Sequence, residues 1–256
     1  MSNPTLASMA PRAHAASHPD LLPHEALSPC SDKLDYSLRR YFVDEFFERH
    51  ARALPRGCRV VDVGGIKGRK RGQFDISRFD LSVTTVNTSA AASPDILADA
   101  ASVPLPDASV DAVVLAEVVE HLIDPRAALA EAARLLKPGG VLLATAPFLF
   151  RVHPDPVDIG RYTPQWWRGT LAECGFAEAT VEQQGMLPTV VAEFVRGWFK
   201  HLDDTRTFWP GVRDQALGAL RRLREQAIAW ERSRAEAAHE YYKSYATGYG
   251  IRAVRG

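Results

Sequence analysis

The sequence is poor in cysteine and has no excess of charge of either sign. Its three cysteines, Cys30, Cys58 and Cys174, are far apart and form no CxxC pair. This spacing argues against a disulfide framework or a cysteine zinc site, and it fits a reducing compartment. Lysine plus arginine number 31, as do aspartate plus glutamate. Proteins that bind nucleic acids usually carry a basic excess, so we expect no DNA or RNA partner.

Long apolar runs and targeting patterns are also missing. No apolar run approaches the roughly 18 residues that span a bilayer, and residues 1–20 lack the charged-then-apolar pattern of a signal peptide. We therefore expect a cytoplasmic protein with no membrane partner. Residues 1–30, rich in Ala, Pro, Ser and His, are predicted to form a disordered leader. Its isolated histidines do not have the spacing of a metal site, and no metal ligands are predicted in the chain.

The remainder of the chain alternates patterns typical of strands and helices. Residues 32–54 carry apolar side chains at helical spacing and precede Pro55, which predicts an amphipathic helix. This helix packs on a core or lies as a lid across a ligand cleft. Beyond it, seven β-like runs, from "RVVDVG" to "GYGIRAV", alternate with helical segments such as "DPRAALAEAARLLKPGG". The order predicts an α/β fold with a doubly wound, mostly parallel seven-stranded sheet.

A long helical stretch interrupts this alternation before the last predicted strand. We expect one Rossmann-like domain formed by residues 31–185 and 246–256, with a helical insertion at residues 186–245. An insertion of this size is commonly a lid, a substrate cap or a dimer surface, so a homodimer is possible. The apolar positions predicted to share one helix face are Val212, Ala216, Leu220, Leu223, Ala227 and Trp230.

A glycine-rich loop follows the first predicted strand. In "DVGGIKG", Gly64, Gly65 and Gly68 let the backbone approach a ligand, and Asp62 ends the strand at the edge where such sheets bind ligands. The next residues, "RKRG", are strongly basic and form either a solvated loop or a rim for an anionic substrate. The stretch "RKRGQFDISRFD" is a poor helix former, so we predict a short or irregular helix after the first strand.

Two further strand ends carry residues suited to a nucleoside. Asn87 ends the second strand, where a carboxylate that holds a ribose is expected. After the third strand, Asp99 is placed to accept a hydrogen bond from an adenine amino group, and Ala100 offers a backbone amide.

The ordered segments from Arg59 to Phe176 resemble those of class I S-adenosylmethionine-dependent methyltransferases of small-molecule and glycan pathways. The segments are "DVGGIKG", "ADA", "LPDASVDAVV", "EVVEHLIDP", "RLLKPGG" and "ECGF". The resemblance implies S-adenosylmethionine as cofactor, with its methionine end held at the glycine loop and its adenine at the acidic turn. It further implies that Ala116 and Glu117 line the cleft after the fourth strand, and His121 is expected to pack near the cofactor.

Candidate catalytic residues follow the fifth strand, in "PFLFRVHPDPVDIGRYTP", which is similar to a stretch of methyltransferases from surface-polysaccharide clusters. His153 is our candidate general base, because an imidazole titrates near neutrality, and Asp158 is placed to orient it. Arg161, Tyr162 and Trp166 are candidate substrate-binding residues, with Arg161 facing an acidic group. Alternatively, Asp158 or Arg161 is a structural clamp that caps the helix near Pro164.

We therefore expect methyl transfer to an oxygen or nitrogen of a small metabolite or sugar-containing intermediate. An alternative function is a non-catalytic binding or scaffold protein that retains the fold. Its support is Ile66, where the family usually has glycine, and Asn87, where the family has a carboxylate.

Overall fold

The computed structural model describes residues 27, 36–67, 72–201 and 212–256. The predicted leader, apart from Leu27, and the residues from Gly68 to Arg71 lie outside this described part. The predicted N-terminal helix is confirmed as α1, Leu38–Arg52. Ser37 precedes the helix and caps it, because its side chain accepts a hydrogen bond from the Arg40 N–H.

The predicted seven-stranded, mostly parallel sheet is confirmed. Its strands lie in the order β3-β2-β1-β4-β5-β7-β6, and β7 runs antiparallel to both of its neighbours. The remaining neighbouring pairs are parallel. The strand order reverses between β1 and β4, so a ligand crevice is expected beyond the carboxyl ends of these two strands. The strands are β1 (Arg59–Val63), β2 (Ser82–Asn87), β3 (Ile96–Leu97), β4 (Val110–Ala116), β5 (Leu136–Pro147), β6 (Phe176–Gln184) and β7 (Gly248–Arg255).

Five further α-helices follow α1 in the described ranges. Helix α2 starts after Asp124, whose carboxylate accepts a hydrogen bond from the Ala127 N–H. It ends at Leu135, so the prediction that "KPGG" continues this helix was wrong and β5 begins instead. Pro138 explains the difference, because a proline disfavours helical backbone in the residue before it. The helices are α2 (Pro125–Leu135), α3 (Pro164–Glu173), α4 (Leu187–Lys200), α5 (Val212–Arg234) and α6 (Glu240–Lys243).

The two faces of the sheet are covered by different helices. Between β1 and β2 the described residues form a single helical turn, the 3₁₀ helix Ile76–Arg78, which confirms the predicted short helix. Helix α1 covers this face, with Val43, Phe46 and Phe47 packed in one apolar cluster with Val60. Residues of α2 and α3 belong to the apolar cluster on the opposite face. Helix α1 thereby stands beside the carboxyl ends of β1 and β4.

Helices α4 and α5 contact the amino end of α1 through buried polar groups. The Glu193 carboxylate accepts a hydrogen bond from the Leu38 N–H at 2.8 Å. Arg224 donates to the Tyr36 carbonyl at 2.7 Å. Arg224 therefore occupies the buried face of α5, and the prediction that Leu223 shares that face was wrong, since 38% of Leu223 is exposed. Paired polar groups replace part of the expected apolar stripe.

No helix in the described ranges is both long enough and apolar enough to cross a membrane.

Candidate active site

The turn after β1 depends on two glycines. Gly64 has a φ of +80°, and a Cβ there would lie 2.5 Å from Cγ2 of Val118. A Cβ on Gly65 would overlap the carboxylate of Asp62. The Gly64 N–H donates to the Val86 carbonyl at 2.8 Å, which fixes the turn against β2. A side chain at either position would therefore clash within the protein, and close approach of this loop to a ligand stays a prediction.

Asn87 stabilises this turn from the end of β2. Its Nδ2 donates to the Gly65 carbonyl at 3.1 Å, and its Oδ1 accepts from the Ser89 N–H at 2.9 Å. A carboxylate has no donor for the first of these bonds, so the amide has a structural reason at this position. A contact between Asn87 and a ribose stays a prediction.

The structure describes the two residues predicted to contact the adenine, but only part of the basic loop. Asp99 is exposed, and its Oδ1 accepts from the Ala101 N–H at 2.8 Å, while Ala100 is buried. Of the four cations, Lys67 bonds the carboxylate of Asp95 in an exposed position, which favours the solvated-loop interpretation for that residue. Gly68 and the other cations lie outside the described residues.

A cavity of 590 Å³ lies between α1 and the strands β1, β2 and β4, a size typical of small-molecule sites. Four residues of the predicted cofactor site line it: Asp62, Gly64, Gly65 and Ala116. Asn87, Asp99 and Ala100 are not among its lining residues. We refer to this space as the first cavity.

Glu117 is held at the end of β4 by an arginine from α1. Its φ of +57° is uncommon for a residue with a side chain, and such backbone strain clusters at functional sites. Arg39 donates from Nε to Oε2 at 3.0 Å and from Nη2 to Oε1, and only 3% and 9% of the two side chains are exposed. Burial alone would raise the pKa of Glu117, but the charge of and hydrogen bonds from Arg39 hold it below its ordinary value. Arg39 also donates to Gln184 of β6, so it joins α1 to both halves of the sheet.

A second cavity, of 490 Å³, lies between α1, α4 and the loops after β4 and β5. Glu117, His121 and His153 contribute to its lining. Arg40 lines both cavities, and the first cavity reaches Ala116, the residue next to Glu117. The two cavities therefore adjoin at the end of β4.

Asp158 organises the loop after β5. Its Oδ2 accepts from the backbone N–H of His153 at 2.9 Å and lies 3.1 Å from Nδ1 of the same histidine. Arg161 donates to both carboxylate oxygens at 2.5 and 2.7 Å, and these bonds hold the pKa of Asp158 well below its ordinary value. Burial lowers the pKa of His153, which favours the neutral imidazole. The structure thus brings together the predicted base and its orienting carboxylate, and Asp158 clamps Arg161 as well.

The predicted helix cap at Asp158 or Arg161 was wrong, because Thr163 caps α3 through a hydrogen bond from the Trp166 N–H at 3.3 Å. Tyr162 and Trp166 stack with ring centroids 4.1 Å apart and pack against the main apolar cluster. Arg161, Tyr162 and Trp166 line neither cavity, so substrate binding by them stays a prediction.

Sequence reasoning missed two residues of this site. Arg39 lies 78 positions from Glu117 in the chain, and no local pattern connects them. Glu120 is fully buried beside His121, and neither of its carboxylate oxygens has a hydrogen-bond partner among the described residues. Burial and the charge of Glu117 raise the pKa of Glu120 to about 8. The pair "EH" in "EVVEHL" was the available signal.

Comparisons with known proteins support the resemblance to methyltransferases that the sequence shows. A family model described as a methyltransferase domain matches residues 61–144, from β1 into β5. A probable S-adenosylmethionine-dependent methyltransferase of Mycolicibacterium smegmatis is 47% identical over 64 residues, which cover 25% of this chain and 23% of the relative. An O-methyltransferase of Aspergillus nomiae is 30% identical over 123 residues, covering 42% of this chain and 54% of the relative. The chain thus spans about a quarter and about half of the length of these two relatives.

A solved structure supports the fold itself. The crystal structure of an S-adenosylmethionine-dependent methyltransferase from Archaeoglobus fulgidus aligns with a TM-score of 0.51 and 16% sequence identity, covering 83% of this chain and 93% of that one. The sheet order, the glycine turn and the family match at residues 61–144 together support a methyltransferase domain of the class I S-adenosylmethionine-dependent type. S-adenosylmethionine is the cofactor of this class, as predicted from the sequence.

Proposed function

We propose that the protein transfers a methyl group from S-adenosylmethionine to an oxygen or nitrogen of a small metabolite or sugar-containing intermediate. The observation that supports this proposal is the pair of cavities that adjoin at Ala116 and Glu117. The glycine turn lines the first cavity, which supports placing the methionine end of the cofactor there. The acceptor then occupies the second, so that its nucleophilic atom faces the methyl group in line with the sulfur.

In this reaction the acceptor's lone pair forms a bond to the methyl carbon while the carbon–sulfur bond breaks. The sulfonium thereby becomes the neutral sulfur of S-adenosylhomocysteine, and the acceptor releases one proton. We assign this proton to Nε2 of His153. Its Nδ1 lies beside two acceptors, Oδ2 of Asp158 and the Arg151 carbonyl, so Nδ1 carries the hydrogen and Nε2 the lone pair.

Charge in the second cavity favours an acceptor that carries an acidic group. Arg40 and Arg151 line the cavity, and the charge of Arg40 also acts on the carboxylates of Asp44 and Glu117. Arg161, the candidate from the sequence, is occupied by Asp158. Arg40 and Arg151 therefore take over the proposed recognition of a carboxylate or phosphate, which suits an acidic sugar or a sugar phosphate.

The test begins with calorimetry of S-adenosylmethionine binding. One bound equivalent supports the methyltransferase, whereas no binding at millimolar cofactor supports the scaffold alternative. Assays of methyl transfer from labelled cofactor then compare neutral and acidic sugars and small metabolites. The variants His153→Asn and Asp158→Asn should both bind the cofactor normally. We expect His153→Asn to lower kcat at least about 100-fold, since general-base catalysis contributes about 10²–10⁴-fold. Asp158→Asn, which removes the group that orients the base, should lower kcat at least about 10-fold. Normal kcat in His153→Asn would exclude this base.

We also propose that the protein forms a homodimer and is located in the cytoplasm. Light scattering of the purified full chain tests the former.

A further inference from the structure

Three side chains of metal-ligating type converge beside the second cavity. Oε1 of Glu120 lies 3.7 Å from Nε2 of His121 and 3.9 Å from Nε2 of His153. One ligand atom from each residue lies within 4.8 Å of the other two. Both histidines contribute to the cavity lining and Glu120 does not, so the carboxylate lies behind the imidazoles.

The hydrogen bonds of the two histidines direct their lone pairs into this cluster. Nδ1 of His121 bonds the Val157 carbonyl, which can only accept, so Nδ1 carries the hydrogen. Nδ1 of His153 lies beside the carboxylate of Asp158 and carries its hydrogen for the same reason. In the neutral form of each ring Nε2 is therefore an acceptor. When Glu120 is ionised, three acceptors face one another, and Oε1 of Glu120 lies too far from either nitrogen for a hydrogen bond.

The carboxylate of Glu120 also lacks a hydrogen-bond donor among the described residues. Its side chain has no exposed surface, and both carboxylate oxygens lack a hydrogen-bond partner in the part of the chain that the structure describes. Burying a polar group without a partner is costly, and a buried carboxylate commonly pairs with a cation or coordinates a metal. A cation placed between the three atoms would satisfy the carboxylate and both imidazoles together.

We propose that Glu120, His121 and His153 bind one divalent transition-metal ion of the Zn²⁺ type. Two imidazoles and a carboxylate suit such ions, whereas Mg²⁺ and Ca²⁺ favour sites made of oxygen ligands. Ligands around tetrahedral zinc lie about 3.3 Å apart, given zinc–nitrogen distances of about 2.0 Å, so the observed distances need to shorten by about 0.5 Å. The bonds to Val157 and Asp158 hold both rings by the nitrogen opposite the ligand atom, as in established metal sites.

This site adds a metal ion that the sequence did not predict. Three protein ligands leave a fourth position, and the two histidines place that position toward the second cavity. An acceptor hydroxyl bound there would have a lowered pKa and would lose its proton to solvent. In the metal-loaded protein His153 is thus a ligand, and its role as general base belongs to the metal-free protein alone. Metal binding itself does not depend on the proposed function, although this role in the reaction does.

The test uses cobalt as a spectroscopic probe for the site. The purified full chain is stripped with a chelator, dialysed and titrated with Co²⁺, and the visible d–d absorption is followed. We expect saturation at one equivalent per chain, displacement by Zn²⁺, and no displacement by millimolar Mg²⁺. The variants Glu120→Gln, His121→Asn and His153→Asn should each weaken binding at least about 100-fold. Asp158→Asn, which acts through His153, should weaken binding about 10–100-fold.

A matched control is available in the same cavity. His201 also lines the second cavity but lies outside the cluster, so His201→Asn should bind cobalt like the unaltered protein. Thermal unfolding of each variant confirms that it is folded. Absence of a saturable cobalt signal, or a signal unchanged in both His121→Asn and His153→Asn, overturns the proposal. Calorimetry of S-adenosylmethionine on the same stripped protein separates the two proposals: cofactor binding without cobalt binding overturns the metal site alone, and cobalt binding without cofactor binding overturns the methyltransferase alone.

Discussion

Replacing Arg39 with methionine should strongly destabilise the protein, because the substitution leaves the buried carboxylate of Glu117 without its partner. The side chains of this pair are 3% and 9% exposed, and Arg39 makes two hydrogen bonds to the carboxylate and one to Gln184. Removing one partner of a buried ion pair costs about 3–5 kcal/mol. Urea unfolding at pH 7, followed by circular dichroism, measures this loss directly.

The loss should also depend on pH in a defined direction. In the unaltered protein the pKa of Glu117 is lowered, so its contribution to stability is present above the unfolded pKa, near 4.3, and falls below it. In Arg39→Met, burial without the arginine raises the folded pKa of Glu117 above the unfolded value. The variant then loses stability as pH rises from about 5 to 8, and the gap between the two proteins widens.

Two further variants make this reasoning refutable. In the double variant with Glu117→Gln the buried charge is gone, so the loss should shrink to about 1–3 kcal/mol, the cost of unsatisfied polar groups. Arg49→Met removes an arginine whose side chain is 55% exposed in its ion pair, and we expect a loss of at most about 1 kcal/mol. A loss in Arg39→Met no larger than in Arg49→Met, or one independent of pH, contradicts the account of this pair.

Three other substitutions test the turn, the surface and the acceptor cavity. Gly64→Ala places a Cβ 2.5 Å from Val118 at a positive φ. The free energy of unfolding should therefore fall by about 1–3 kcal/mol, and calorimetry should show weaker cofactor binding. In the control Gly169→Ala the Cβ meets open space, so the stability should be unchanged or higher. Glu182→Gln should cost about 1 kcal/mol at pH 6 in urea unfolding. The stability difference between this variant and the unaltered protein should shrink at pH 3. Burial would raise the pKa of Glu182, but hydrogen bonds from His50 and Arg49 lower it to about 2. A lowered carboxylate pKa gives stability that is lost as pH falls below about 4.3. Arg151→Gln should raise KM for an acidic acceptor about 3–10-fold, with unchanged cofactor affinity, and an equal rise for a neutral acceptor contradicts charge recognition.

Local patterns predicted the parts of this protein that depend on neighbours in the chain. The β-branched run of β1 and the glycines that follow it determine a strand and a turn within a few residues, and both were confirmed. The short 3₁₀ helix in the described residues between β1 and β2 was also predictable, since the stretch that follows β1 is rich in charge and glycine.

Contacts between distant segments were not predictable in the same way. The apolar spacing on α5 selected Leu223 for burial, yet Arg224 is buried because the Tyr36 carbonyl accepts its hydrogen bond. Similarly, His153 and Asp158 were paired from a short loop, but the approach of Glu120 to His153 depends on how the loops after β4 and β5 fold together. A single sequence contains no periodic signal for such pairs.

A crystal structure with S-adenosylhomocysteine tests the central claim most directly. We predict the methionine end against Gly64 and Gly65, and the sulfur beside Ala116 with its open side toward the second cavity and His153. Failure of the ligand to bind at millimolar concentration would contradict the methyltransferase assignment. A ligand whose sulfur faces away from His153 would contradict the proposed arrangement of cofactor and acceptor.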